Sequence, residues 1–366
     1  MNKILICANS YPPQVGGLAT YASQLAMHLT ELNFDATVLA PASPAHKIFD
    51  AERPYRVLRY SSKVGMYQKC LVEIFRTDLV FIVQRGNYLT LAYHINKILR
   101  RPYVVALHGH EVQSRKRYSI IKKMNCASAI IPVSTYTSNH FKSLGVNPSL
   151  IHVINNGTTP IINSDINVRS KYGLEDKQII LTVARLTTHK GQDHLLKALP
   201  RILKVIPNAH CLMVGDGPDR EYLEDLAFNQ LNLGKNVTFT GAIQDVEVAA
   251  CYYACDIFTM LSRQHGNSIE GFGIAFLEAG YVGKAVVGGD SGGIPDAVEH
   301  SKSGILVDPN DIEEIAMTLI DLLQDKDKRA EYGENGKKRV LERFTWEKVA
   351  KTYADLFGAI LGKSKM

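Results

Sequence analysis

The chain reads as an α/β protein of two domains, each built on a doubly wound parallel sheet. Three observations carry this. Its 366 residues exceed one ordinary domain of roughly 150. Short β-branched runs alternate with longer amphipathic segments along the whole chain. A polar stretch over 163–176 interrupts the alternation, which then restarts.

In the first half, Ile4–Ala8, Ala36–Ala40, Leu79–Gln84, Tyr103–Leu107, Ala129–Val133 and His152–Ile154 are expected to be buried parallel strands. They are continuous apolar runs, as strands covered on both faces must be. Ala19–Leu32, Tyr88–Leu99 and Thr135–Leu144 are the amphipathic helices between them. In the second half the strands are Gln178–Ala184, Ala209–Val214, Val237–Thr240, Asp256–Leu261, Ala285–Gly288 and Ile305–Val307, again separated by helices. Residues 1–165 form the first domain and 166–345 the second; the helical tail over 346–366 is long enough to pack back towards the first domain. Open α/β sheets bind ligands outside the carboxyl ends of their strands, so two such domains are expected to face a central cleft that holds the chemistry.

Apolar residues make up 46% of the chain and charged residues 21%, the composition of an ordinary globular protein. No apolar run approaches the roughly 18–20 residues of a membrane span, and the opening segment reads as a strand and turn, so the protein is expected in the cytoplasm. Cys7, Cys70, Cys126, Cys211, Cys251 and Cys255 lack the close spacing of zinc or redox sites and are expected to be buried thiols. Charge is uneven. Residues 1–165 hold 18 Lys and Arg against 8 Asp and Glu, while the remainder carries a net −4. Arg100, Arg101, Arg115, Lys116, Arg117, Lys122 and Lys123 concentrate the positive charge. Such a patch suits nucleic acid, anionic lipid or a phosphorylated acceptor, or is simply a solvated face.

The chemistry-bearing segments follow predicted strands. After the first strand, Tyr11-Pro-Pro-Gln-Val-Gly-Gly places Gly16 and Gly17 at the opening of a helix, where backbone amides can approach an anion. Arg185 and Lys190, in Thr182-Val-Ala-Arg-Leu-Thr-Thr-His-Lys-Gly, offer a planar fork and a mobile point charge, a pairing suited to pyrophosphate. In Glu270-Gly-Phe-Gly-Ile-Ala-Phe-Leu-Glu278, the carboxylates of Glu270 and Glu278 can accept bonds from sugar or ribose hydroxyls. The amides of Gly273 and Ile274 can bind phosphate or developing negative charge, and the intervening Phe272 is counted with them. The Gly288–Asp296 turn is expected to point amides at the same ligand. Val214-Gly-Asp-Gly-Pro is either another such loop or a structural turn. His108, His110 and Glu111 follow a strand in Leu107-His-Gly-His-Glu-Val. One histidine contacting a transferred sugar, a metal pair, and a histidine capping the strand end are the readings.

Taken in order, these segments, with Asn156-Gly157 and Phe344-Thr-Trp346, resemble the retaining glycosyltransferases of family four, almost end to end. The motifs are most similar to the phosphatidylinositol mannosyltransferase branch of that family. The resemblance implies the GT-B fold: two Rossmann-like domains, the first binding the acceptor and the second the nucleotide sugar. It implies that Gly16 and Gly17 line the diphosphate, that Arg185 and Lys190 hold it, and that Glu270 meets the donor sugar and Glu278 the ribose. His108 would contact the transferred sugar, and the backbone from Gly241 to Ile243 would hold the base. GDP-mannose is the first donor implied and a UDP-sugar the second. No resident cofactor and no catalytic metal are implied. The acceptor is expected to be a lipid-linked glycan in cell-surface polysaccharide or glycolipid synthesis, reached at the inner face of the membrane through peripheral contact with anionic lipid, with no role for nucleic acid. The competing readings are a GT-B phosphorylase or epimerase, separable by product analysis, and a catalytically inactive nucleotide-sugar-binding subunit, against which the intact Arg185, Lys190, Glu270 and Glu278 argue.

Overall fold

The computed structural model describes residues 1–14, 16–84, 86–109 and 117–364, except for the side chains of 117, 363 and 364. Two compact units emerge. One joins Met1–Gly157 to Trp346–Met366, and the other is Thr158–Thr345.

The first unit carries β1 (Asn2–Cys7), β2 (Phe34–Pro41), β3 (Arg56–Tyr60), β4 (Leu79–Ile82), β5 (Tyr103–Leu107) and β6 (Ala129–Pro132). All are parallel, in the spatial order β3-β2-β1-β4-β5-β6. Side chains leave alternate faces of a strand. Ile4 and Ile6 therefore pack with helices Gly17–Glu31 and Trp346–Ser364, while Leu5 and Cys7 pack with helices Lys63–Ile74 and Asn87–Leu99. From the last helix, Trp346, Val349, Ala350, Tyr353, Phe357 and Leu361 enter this core, and the Tyr353 hydroxyl meets that of Tyr21.

Two expectations are corrected here. β3 was not foreseen, because Arg56 and Arg59 interrupt its apolar character; it is a half-exposed edge strand paired with β2. Arg59 is held there by the Asp50 carboxylate at 2.7 and 3.0 Å. Residues 152–154, expected as a strand, run beside β6 and donate from His152 to Ile130 and from Ile154 to Pro132. The return bond of a parallel ladder would need an N–H from Pro132, which proline lacks. Among the thiols, Cys126 is partly exposed and the other five are buried.

The second unit carries β7 (Gln178–Val183), β8 (Ala209–Val214), β9 (Val237–Gly241), β10 (Ile257–Met260), β11 (Ala285–Gly289) and β12 (Ile305–Val307), in the order β12-β11-β10-β7-β8-β9. Counted from β7, this is the strand order of the first unit. Ile180, Cys211, Ile257 and Val287 pack with helices Gln192–Val205 and Ile312–Gln324. In each sheet the order reverses once, between β1 and β4 and between β7 and β10. The crevice outside the carboxyl ends at such a reversal is where these sheets take ligands.

Candidate active site

After β7 the chain passes Arg185 and makes one tight turn, Thr188–Lys190, before helix Gln192–Val205. The loop after β8 supports that turn. A Cβ added at Gly215 would stand 2.1 Å from the Ala184 carbonyl oxygen, and one at Gly217 would stand 2.2 Å from that of Leu186. Leu186 donates its N–H to the Asp216 carbonyl at 3.0 Å, and Asp219 accepts from the Thr188 hydroxyl at 2.6 Å. Of the two readings of Val214-Gly-Asp-Gly-Pro, this packing supports the structural one, since the glycines admit neighbouring backbone. Arg185 is exposed, and among the described residues its guanidinium has no hydrogen-bond partner.

The segment after β10 brings Glu270 onto the same turn. Lys190 and Glu270, 80 positions apart, form an ion pair with both side chains mostly out of solvent. Lys190 Nζ also lies 3.8 Å from Met260 Sδ. Burial pushes the Glu270 carboxyl up, but Lys190, His189 and the Phe272 N–H outweigh it and hold the group below the usual carboxylate range. Gly293 donates its N–H to the Glu270 carbonyl at 2.9 Å, while the amides of Ser291 and Ile294 close the turn on Gly289 and Ser291. Of the two glycine amides expected to point at a ligand, that of Gly293 instead holds Glu270 in place, while among the described residues the Gly292 N–H has no acceptor.

Helix Ile274–Tyr281 starts at Gly273 without a side-chain cap, and among the described residues the N–H groups of Gly273 and Ile274 have no acceptor. Helices Thr135–Ser143 and Ile312–Gln324, by contrast, are capped by Ser134 and Asp311. Open first-turn amides at the positive end of a helix favour an anion. Phe272 contributes its backbone only, its ring being buried with Phe344 at 6.0 Å between centroids.

Glu278 lies in the second turn of that helix and accepts from the Tyr252 hydroxyl at 2.6 Å. Burial raises its carboxyl above the ordinary range, the Tyr252 bond opposes this, and Asp245 adds to it. The fold thus prefers the neutral acid, so this group's contribution to stability is present at low pH and is lost as pH rises through the raised value. Glu278→Gln is expected to melt above wild type at pH 8, with the gain fading towards pH 4. A lower melting temperature at pH 8 would refute this. Gly241 ends β9, and its carbonyl accepts from Gly215 at 3.1 Å, tying Gly241–Ile243 to the loop after β8.

In the first unit, Gly16 is the uncapped N-cap of helix Gly17–Glu31, and both glycines are exposed. His108 follows β5, and its Nε2 donates to the Val83 carbonyl at 2.9 Å, while Tyr21 packs edge-on at 4.6 Å. Burial pushes the imidazole down to about 4, so it is neutral at pH 7. The strand-end capping bond is thus present, and the residue as a whole is of intermediate exposure. His110, Glu111, Arg115 and Lys116 lie outside the described residues. The sequence reading missed Asp219 beneath Thr188, Tyr252 on Glu278, and Arg263 on Asp193 at 3.0 Å. None of these belongs to a recognisable motif.

One strand order used twice, in two Rossmann-like units with loops gathered at each reversal, is the GT-B architecture. Similarity to known proteins narrows the class. Residues 15–160 match Glycosyltransferase Family 4, and residues 164–339 match Glycosyl transferases group 1. The chain is 30% identical to the GDP-mannose-dependent alpha-(1-6)-phosphatidylinositol monomannoside mannosyltransferase of Mycobacterium tuberculosis, over 97% of this chain and 98% of that protein. It is equally identical to the enzyme of Corynebacterium glutamicum that acts on the monoacylated form, over 94% and 95% of the two chains. Anabaena Alr3699/HepE, solved in complex with UDP, superposes with a TM-score of 0.84 at 23% identity, covering 98% of this chain and 100% of that one. The chain belongs to glycosyltransferase family 4.

Proposed function

We propose that this glycosyltransferase is a retaining, metal-independent hexosyltransferase that uses GDP-mannose and a lipid-linked acceptor. The Lys190–Glu270 pair at the reversal point of the second sheet carries this reading. Lys190, Arg185 and the amides of Gly273 and Ile274 take the diphosphate; Glu270 accepts from donor sugar hydroxyls, and Glu278 from the ribose. The acceptor oxygen attacks the anomeric carbon on the face from which the diphosphate departs. The bond from that carbon to the phosphate oxygen breaks, and the acceptor proton passes to the departing oxygen. No separate general base is needed, and the cations and helix amides stabilise the charge that develops. The mannosyltransferase relatives support GDP-mannose as donor and a mannosylated phosphoinositide as the kind of acceptor.

A donor panel with EDTA tests this. GDP-mannose is expected to be hydrolysed faster than UDP-glucose, UDP-galactose and UDP-N-acetylglucosamine, and the rate to survive chelation. Loss reversed by magnesium or manganese would overturn the metal-independent mechanism. Absence of turnover with every donor would favour the inactive binding subunit.

Membrane contact belongs to the same proposal. Among the described residues no helix is long and apolar enough to cross a membrane. Val64, Tyr67, Leu71 and Phe75 share one face of helix Lys63–Ile74 and its end, and all are exposed. Lys63 and Arg76 flank them, in the half of the chain that carries the positive excess. Of the basic cluster, Lys122 is exposed, Arg101 pairs with Asp78 at 3.9 Å and Lys123 bonds Thr90. Each basic residue at an anionic leaflet is worth about 1 kcal/mol, and exposed apolar side chains add insertion. The protein is expected to float with phosphatidylglycerol vesicles at low salt and to release at 1 M, where the Debye length is about 3 Å. Leu71→Asp with Phe75→Asp should weaken flotation, as should charge reversal at Arg115, Lys116 and Arg117. Indifference of the wild type to anionic vesicles would point to a soluble acceptor.

A further inference from the structure

Segment 263–269, between β10 and Glu270, matches no motif, yet it opens with a firmly held side chain. Arg263 Nη1 and Nη2 each donate to one oxygen of the Asp193 carboxylate at 3.0 Å, and both residues are buried. Asp193 lies in the first turn of helix Gln192–Val205, just beyond Lys190. His194 and Lys197 also approach its Oδ2, at 3.5 and 3.4 Å. Arg263 donates its backbone N–H to the His189 carbonyl at 2.9 Å. It therefore grips the Lys190 turn through main chain and side chain together. Residues 264–268 are exposed and fold back on themselves through a His265–Ser268 bridge, after which the segment returns to deliver Glu270 to Lys190.

We propose that Arg263, through its fork on Asp193, is a positioning residue for sugar transfer: it fixes the Lys190 turn and the Glu270 segment in one register, so that ammonium and carboxylate meet the donor together. A bidentate guanidinium–carboxylate pair fixes angle as well as distance, which a lysine in the same place does not. The kinetic consequence rests on the glycosyltransferase reading above; the clamp itself does not.

The test is hydrogen–deuterium exchange on the full chain, for wild type, Arg263→Lys, Arg263→Gln and Asp193→Asn. Peptides over 185–191 and 264–273 are expected to exchange about tenfold faster in Arg263→Gln and by an intermediate factor in Arg263→Lys, with β8 and β11 unchanged. With whichever of GDP-mannose and UDP-glucose the wild type hydrolyses, kcat should fall about 30- to 100-fold while KM moves less than about threefold. The acid limb of kcat should also move to higher pH, because a carboxylate faced by Lys190, His189 and the Phe272 N–H would lose its hold on Lys190. A merely structural role would lower the melting temperature and leave that limb in place.

If Arg263→Gln does not fold, Asp193→Asn, which keeps the shape and one acceptor, carries the same expectations at smaller size. Wild-type exchange in the two segments, or protection lost evenly across the unit, overturns the clamp. Faster exchange with an unchanged kcat and acid limb overturns its role in positioning. Failure of the wild type on both donors counts against the donor reading, and exchange then decides the clamp alone.

Discussion

Glu270→Gln and Lys190→Met are each expected to lower transfer about 100- to 1,000-fold, the range for removing one preorganised charge-stabilising contact. The structure adds a second consequence. The two groups are paired and mostly out of solvent, so either single change leaves its partner without a counter-charge. Removing one member of a fully buried pair costs about 3–5 kcal/mol, against at most about 1 for an exposed pair; this one lies between. Both single variants should therefore melt below wild type, and the double variant should recover part of that loss with no recovery of activity. Hydrolysis of the donor and thermal melting read the two effects separately. Any single variant with half the wild-type rate would remove these residues from the reaction.

Gly191→Ala is expected to be nearly as damaging without touching a charge. Gly191 has φ +77, and a Cβ there would stand 2.0 Å from the Leu261 carbonyl oxygen. The left-handed conformation costs an alanine roughly 1–2 kcal/mol, and the clash forces the turn off the end of β10. Lys190 precedes this glycine and Asp193 follows it, so both would move. Gly173→Ala is the control, because it shares the positive φ (+65) but would meet nothing within 4 Å. Gly191→Ala should lose about 3 kcal/mol more than the control and about 100-fold in rate. Equal stability of the two variants would show that the contact with Leu261 is unimportant.

Where the chain alternates long apolar runs with amphipathic segments, its sequence was sufficient: β5, β8 and β12 begin and end where the residues indicate. It misled where one local feature decides the outcome. Two arginines disguise β3, and a proline denies residues 152–154 a ladder. For the site, Arg185, Lys190 and Glu270, and Glu278 in the helix that follows, stood out because charge and glycine after a strand have few structural uses. The pairings that hold them did not stand out. Arg263 finds Asp193 70 positions away and Tyr252 finds Glu278 26 positions away, and neither spacing leaves a trace in local pattern. At the Gly288–Asp296 turn local pattern does not tell an open amide from a bonded one: Gly293 is taken by the Glu270 carbonyl, brought by the segment after β10, while among the described residues Gly292 has no acceptor.

The helix Trp346–Ser364 completes the core of a unit whose six strands all lie before residue 158. During synthesis those strands emerge first, yet the face of the sheet that receives Trp346, Tyr353 and Phe357 is covered only by helix Gly17–Glu31 until residues 346–364 have been made. The second unit, contiguous in sequence, can close in the meantime. The usual amino-to-carboxyl order of domain folding is thereby inverted, and a nascent chain stalled at residue 345 would present a finished second unit tethered to an apolar sheet in need of a chaperone.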